Sequence, residues 1–189
     1  MFAGKTTALL GIMKRYKFIG YNSLIVTHAS DTRYSTDAGS IVSHDKDSLT
    51  AHPVRELMPL RNEQAYKDTN VIAIEEAHFF PDLYEFVLAA LEEDNKNVIC
   101  VGLNGDYLRK PIGQISQLIP LADEVVKIDA LCAHCKHPRP GLFTLRRQNN
   151  KTNSNSNSNN SQSEQILVGG SETYEAVCRA HYLALQGSE

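Results

Sequence analysis

The sequence predicts an α/β fold: a doubly wound, mostly parallel sheet of the P-loop kind, followed by a small metal-binding subdomain. Three observations carry this. Val71–Phe80 (VIAIEEAHFF) runs four apolar residues straight into two carboxylates, Glu75 and Glu76. That is the pattern of a strand buried on both faces that delivers acids to the carboxyl edge of a parallel sheet. Met1–Thr7 (MFAGKTT) carries the Gly-Lys-Thr end of a P-loop immediately before a helix-compatible segment, Thr7–Lys17. Finally, Cys132-Ala-His-Cys135 and Cys178-Arg-Ala-His181 repeat one spacing that suits a tetrahedral metal site.

At 189 residues, 42% hydrophobic and 22% charged, the chain can bury one full core and a small appended module. A net charge of −3 and a pI near 6.2 provide no basic field for grasping a nucleic-acid polymer. No apolar run approaches the roughly 20 residues of a membrane helix, so neither a polymer nor a membrane is expected as partner. Between Met1 and Ser30 there is no Asp or Glu, while Lys5, Lys14, Arg15 and Lys17 are basic. Mitochondrial transit peptides share that composition, and the Gly-Lys-Thr motif argues against one here.

In such a loop, backbone N–H groups and the helix N-terminus cradle phosphates, Lys5 reaches the β/γ-phosphates and the Thr6 hydroxyl joins Mg²⁺. A full motif needs a glycine two positions before Met1 and a strand before that, so the sheet reads as lacking its first strand. Ser23–Thr27 is the next expected strand, and the polar turn His28–Ser35 that follows brings Asp31 and Arg33 to the same sheet edge as Glu75. Side chains alternate faces along a strand, so Glu75 and Glu76 point different ways and can hold different roles. Arg61–Thr69 is polar enough for a short surface helix. Pro81 opens a helix to about Asp94, with Leu83, Phe86, Val87, Ala90 and Leu91 at helical spacing. Asn97–Leu103 is a further buried strand, and it empties into the turn-rich loop NGDYLRKPIG.

The C-terminal third changes character. Cys100 lies in an apolar run and is expected to be a buried thiol. Cys132, Cys135, Cys178 and His181 would close a structural zinc site; a pair of reduced cysteines plus a lone thiol is the alternative. His134 and His137 are rival ligands, expected to be solvated. Between the two pairs runs NNKTNSNSNSNNSQSEQ, which cannot bury apolar area and is expected to be a disordered insertion.

These residues together resemble the type II, cytosolic or human-type thymidine kinase family, over nearly the whole chain outside the Asn/Ser tract. That family carries GPMFSGKST, DTRYS, DEGQFF, LDGTFQRKPFG and two zinc-binding CxxC pairs in this order. Here the matching segments are MFAGKTT, DTRYS, EEAHFFPD, LNGDYLRKPIG, CAHC and CRAH. The resemblance implies ATP-dependent phosphorylation of the thymidine 5′-hydroxyl in nucleotide salvage, with deoxyuridine a possible second substrate. It makes Glu76 the general base and Glu75, with Thr6, the magnesium-linked residues. It assigns Met1, Phe2, Ala3, Gly4, Lys5, Thr6, Asp31, Thr32, Arg33, Glu75 and His78 to ATP and its phosphates. Phe79, Leu103, Tyr107, Ile112 and Tyr174 fall to the nucleoside, together with Gln165, Ile166, Leu167, Val168 and Gly169, the "lasso" anchored by the zinc clamp. It further implies structural Zn²⁺, Mg²⁺ with ATP, a homotetramer and cytoplasmic residence.

The implied domains are a kinase core over 1–130 and a zinc-clamped lasso subdomain over 131–189, with the insert at about 149–164. Departures from the pattern are Glu75 for Asp, His78 for Gln, Asn104 for Asp and His181 for the fourth cysteine. With the incomplete P-loop, they leave an alternative: an N-terminally truncated or diverged, non-catalytic nucleotide-binding member of the same fold.

Overall fold

Backbone pairing on both sides of Val71–Ile74 defines the sheet. The computed structural model describes residues 2–30, 40–42, 48–147 and 173–186. Along the chain come helix α1 (Lys5–Phe18), strands β1 (Ser23–His28), β2 (Ser40–Val42), β3 (Ser48–Thr50) and β4 (His52–Val54), and a 3₁₀ turn (Met58–Asn62). Then follow α2 (Gln64–Lys67), β5 (Val71–Ile74), a 3₁₀ turn (Ala77–Phe79), α3 (Leu83–Glu92), β6 (Asn97–Cys100) and a 3₁₀ segment (Ile115–Leu121). The last elements are β7 (Ala130–Leu131), β8 (Pro140–Gly141), β9 (Phe143–Arg146), β10 (Tyr174–Val177) and α4 (Arg179–Gln186). They divide into two compact units, residues 4–105 with 110–128, and residues 1–3, 106–109 and 129–189.

In the larger unit a four-stranded sheet has the order β4-β1-β5-β6, and all its pairings are parallel. β5 is central: Ile74 sits opposite Val26 of β1 and Cys100 of β6. Its residues alternate between two cores. Ile72 and Ile74 join Val26, Leu83, Phe86 and Ala90 on the α3 side, while Val71 and Ala73 join Ile25, Leu9, Leu10 and Met13 on the α1 side. Helices therefore cover both faces, which is why β5 reads as a continuous apolar run with no polar alternation. Pro53 is tolerated because β4 is an edge strand. A separate antiparallel pair joins β2 to β3, with Ile41 opposite Leu49.

Helix ends explain where elements start and stop. α1 begins at Lys5, two residues before the expected Thr7, because Gly4 at φ +78 turns the chain into the helix and its carbonyl accepts from the Ala8 N–H. It closes with Gly20 at φ +81, where the Gly20 N–H bonds Lys17 O and the Tyr21 N–H bonds Tyr16 O. This is a Schellman closure, whose left-handed position favours glycine. α3 is shorter than the expected Pro81–Asp94. Asp82, just before it, accepts from the Leu57 and Met58 N–H groups at 2.7 and 2.8 Å and so caps the 3₁₀ turn Met58–Asn62. The expected helix over Arg61–Thr69 splits into that 3₁₀ turn and α2. Arg61 is drawn instead into a fork on Asp94, which also accepts from the Tyr66 hydroxyl.

The smaller unit is built from hairpin-like pairs. β7 pairs antiparallel with β8 and β9 with β10. Its buried cluster is Cys132, Leu145, Val177, Cys178 and Tyr182, with Cys135 and Phe143 packed against it. Among the described residues no helix is long and apolar enough to cross a membrane.

Candidate functional site

β5 ends at Ile74, and the chain then pairs for one more step: the Glu75 N–H donates to Val26 O at 2.9 Å. Glu76 adopts φ +49, a left-handed conformation rare for a residue with a long side chain and kept where the surroundings enforce it. This kink, and not the expected strand alternation, sends the two acids to different partners, because β5 has already ended at Ile74. Both are buried. Glu75 Oε1 accepts from the Thr6 hydroxyl at 2.6 Å, tying the first turn of α1 to the end of β5 across 69 positions of sequence. A P-loop hydroxyl and a strand-end acid in contact form the arrangement that shares a hydrated divalent cation in phosphoryl-transfer sites. The oxygen-only donor set suits Mg²⁺, and Lys5 opens the same helical turn.

Glu76 faces His78 instead, with Oε2 3.4 Å from Nδ1. His78 is itself buried and closely confined. The Leu103 N–H also approaches its Nδ1, at 3.2 Å. Two glycines make room for this residue, Gly102 beside its ring and Gly113 against its backbone. A Cβ at Gly102 would lie 3.0 Å from Nδ1, and one at Gly113, which holds φ +55, would lie 2.2 Å from the His78 carbonyl oxygen. Neither glycine was picked out by sequence reasoning as a neighbour of the acids. Gly113 was read only as a turn marker of the loop NGDYLRKPIG, and Gly102 only as part of the preceding strand. The Phe79 ring lies 4.3 Å from His78 and 5.7 Å from His28, while Phe80 meets the other edge of His28 at 5.0 Å. His28, at the end of β1, is a site neighbour that sequence reasoning missed.

Of the remaining residues assigned by resemblance, Leu103 is half-buried beside His78 and Ile112 is buried in the larger unit. Gly4 starts α1; Phe2 is exposed at φ +55 and Ala3 half-buried. Tyr107 belongs to the smaller unit, as does Tyr174, which pairs with Arg146 in the β9–β10 ladder. Met1, Asp31, Thr32, Arg33, Gln165, Ile166, Leu167, Val168, Gly169 and the Asn/Ser tract lie outside the described residues.

The smaller unit brings Cys132, Cys135, Cys178 and His181 together, with one donor atom from each lying within 4.8 Å of all the others. His181 Nδ1 stands 3.4, 3.6 and 3.3 Å from the sulfurs of Cys132, Cys135 and Cys178, and Cys135 Sγ is 3.9 Å from Cys178 Sγ. A tetrahedron with metal–sulfur bonds of about 2.3 Å has edges of about 3.8 Å, so the set fits a zinc-sized ion. The electrostatics agree. Burial pushes the Cys132 thiol up, but hydrogen bonds from the Cys178 and His134 backbone and from His181 outweigh it and bring it down to about 6. Hydrogen bonding from the His181 backbone lowers Cys178 as well. Burial, then Cys132 and Cys178, push Cys135 up to about 11, and Cys132 and Cys178 raise His181. Three thiolates this close repel, and a divalent cation is what allows all three to ionise together.

Local structure explains the cluster. The first pair turns at the end of β7, where the Cys132 N–H bonds Arg139 O, and the second opens α4, where the Tyr182 N–H bonds Cys178 O. His134 stands outside the donor set. It is exposed, as expected, and its Nε2 lies 2.9 Å from Glu175 Oε1 on β10. Cys100 is half-buried in β6, and burial of its thiol pushes it up to about 12, which suits a packing role.

A family model described as "Thymidine kinase" matches residues 1–182. Thymidine kinase a of Arabidopsis thaliana is 38% identical over 186 residues, covering 97% of this chain and 71% of the plant protein. The cytosolic thymidine kinase of Homo sapiens is 36% identical over 182 residues, covering 96% of this chain and 69% of the human one. The thymidine kinase of Yaba monkey tumor virus is 35% identical over 187 residues, covering 98% of this chain and 91% of the viral one. A strand-end acid bound to the Thr6 hydroxyl, a Cys/His cluster of tetrahedral size and these matches along nearly the whole sequence lead to one conclusion: the chain belongs to the thymidine kinase family.

Proposed function

We propose that this chain transfers the γ-phosphoryl group of ATP to the 5′-hydroxyl of thymidine, giving thymidylate and ADP. The observation that carries the reading is the pair Glu75 and Glu76: one acid is bound to Thr6 at 2.6 Å and the other is turned away by a left-handed backbone. Phosphoryl transfer asks a protein mainly to position reactants and neutralise charge, so a phosphate loop, a metal-linked acid and one further carboxylate suffice.

In this scheme Gly4, Lys5 and Thr6 hold the phosphates, together with Met1, Phe2, Ala3, Asp31, Thr32, Arg33 and His78 by family likeness. Thr6 and Glu75 would hold the Mg²⁺ that accompanies ATP, an ion that would screen the charge on the transferred group. Glu76 takes the proton from the 5′-hydroxyl. The nucleoside base is assigned to Phe79, Leu103, Tyr107, Ile112, Tyr174 and the backbone groups of Gln165–Gly169. Backbone donors and acceptors read a pyrimidine edge well, because a wrong base leaves buried polar groups unpaired.

Zn²⁺ is the proposed occupant of the Cys132, Cys135, Cys178 and His181 cluster, on the strength of its three sulfurs and one imidazole. The boundary between a kinase core at 1–130 and a lasso subdomain at 131–189 is part of the same reading. So are a homotetrameric assembly, cytoplasmic residence like that of the human relative named cytosolic, and deoxyuridine as a second acceptor.

The test is transfer of labelled phosphate from ATP to thymidine, run beside Glu76→Gln. The unaltered chain is expected to form labelled thymidylate. The amide keeps the shape of the side chain and removes the base, so turnover should fall by about 10²–10⁴-fold while thymidine still binds. Absence of thymidine phosphorylation in the unaltered chain sinks the reading; wild-type turnover in Glu76→Gln sinks the assignment of the base.

A further inference from the structure

We infer that Tyr182 is a positioning residue for the nucleoside: its hydroxyl fixes the turn that carries Tyr107. The inference rests on the assignment of Tyr107 to the thymidine base, and it adds to that assignment a residue 75 positions away.

Tyr182 directly follows the cluster residue His181, in the first turn of α4. It is fully buried, with its ring centroid 5.4 Å from that of Phe143 and its N–H on Cys178 O. A buried phenol keeps its hydroxyl only where a partner is supplied. Here the hydroxyl donates to the Tyr107 carbonyl at 2.7 Å. Residues 106–109 form a tight turn around that carbonyl. Asp106 Oδ1 accepts from the Leu108 N–H at 2.9 Å, and Asp106 O accepts from the Arg109 N–H at 3.0 Å. Arg109 closes the turn at φ +64 and lays its guanidinium 4.7 Å over the ring of Tyr182 itself.

One aromatic side chain thus grips the turn twice, through its edge hydroxyl and through its face. Anchoring a carbonyl sets the peptide plane, and with it the direction in which the Tyr107 side chain leaves the backbone. That side chain is steadied further by Arg146, whose guanidinium lies 5.4 Å over its ring. Since Tyr182 is next in sequence to His181, whatever orders the Cys178–His181 turn also orders the hydroxyl. The cluster then sets nucleoside affinity as well as local stability.

A buried tyrosine that merely fills space predicts something different, and Tyr182→Phe separates the two because it deletes one oxygen and keeps the ring. Thymidine and ATP affinities are measured by calorimetry on the full chain, for the unaltered protein, Tyr182→Phe and Tyr107→Ala, with metal content determined for each. Tyr182→Phe is expected to keep its metal and its ATP affinity while the thymidine Kd rises by about 2- to 10-fold, the worth of one neutral hydrogen bond. In turnover the same variant should raise the thymidine KM and leave kcat in place. An unchanged thymidine Kd in Tyr182→Phe, alongside a loss in Tyr107→Ala, overturns this inference alone. An unchanged Kd in Tyr107→Ala removes Tyr107 from the base site and overturns both. Loss of metal, or an equal weakening for ATP and thymidine, would mark Tyr182 as structural only.

Discussion

The two units hold themselves together by different means. In the larger one, β5 feeds an apolar core on each face of the sheet, and residues such as Ile72, Phe86 and Leu9 are wholly buried. The smaller one has short strand pairs and a cluster in which two of the five buried residues, Cys132 and Cys178, are metal-ligating types. A small core leaves little surplus over conformational entropy, and proteins of that size commonly rely on a metal or disulfide for the remainder. The lesson is about where polar groups are free to act. A well-filled core lets the larger unit hold Glu76 and His78 in costly positions, whereas in the smaller unit the groups suited to a metal, Cys132 and Cys178, are themselves part of the buried cluster.

The sharpest way to break that comparison is to remove the metal. Chelation, or Cys132→Ser together with Cys178→Ser, should abolish metal content. Amides of Cys132, Ala133 and Tyr182 should then exchange rapidly while those of β5 stay protected, since structural zinc contributes on the order of 10 kcal/mol to such modules. Site-resolved hydrogen exchange that stayed slow in the smaller unit would show that its apolar cluster suffices. The converse change is Phe86→Ala in the larger unit, where the ring also meets Tyr66 edge-on at 5.8 Å. It should cost about 3–5 kcal/mol by denaturant unfolding and leave the metal in place. Loss of metal in that variant would mean that the units do not stand independently.

A finer probe is the support around His78. Gly113→Ala meets both a left-handed backbone and a carbonyl oxygen 2.2 Å away, while Gly4→Ala meets the backbone term alone, with nothing within 4 Å. Gly113→Ala should therefore cost about 1–3 kcal/mol, with turnover falling through Glu76, and Gly4→Ala about 1 kcal/mol. Equal unfolding midpoints for the two would refute the close contact. The smallest effect is expected from deleting Thr152–Ser163. Halving a connection changes closure entropy by only about 0.6 kcal/mol, so metal content and melting temperature should hold, and a large fall in either would count against the compositional reading of that tract.

Particular elements show how far sequence reasoning reached. The apolar run of β5 and its two acids were legible because burial on both faces leaves no polar alternation, and the Cys/His cluster because its four candidate donors come as two pairs of matched spacing. The ends of elements were less so. β6 stops at Cys100, short of the expected Leu103, because after the Val101 N–H bonds Ile74 O the chain leaves the sheet and Gly102 packs on His78. α3 is trimmed because the Asp82 carboxylate serves a different segment of the chain.

By itself, then, the sequence determined the α/β class, the acids at the end of β5 and the four side chains of the Cys/His cluster. Each is written in periodicity or spacing over a few neighbouring residues, which is the range over which backbone geometry acts. Only the tertiary structure decided that Thr6 meets Glu75, that His78 is confined by Gly102 and Gly113, and that Tyr182 holds the turn of Tyr107. Those contacts join residues 24 to 75 positions apart, and nothing local distinguishes such partners from the many other side chains able to make the same bond.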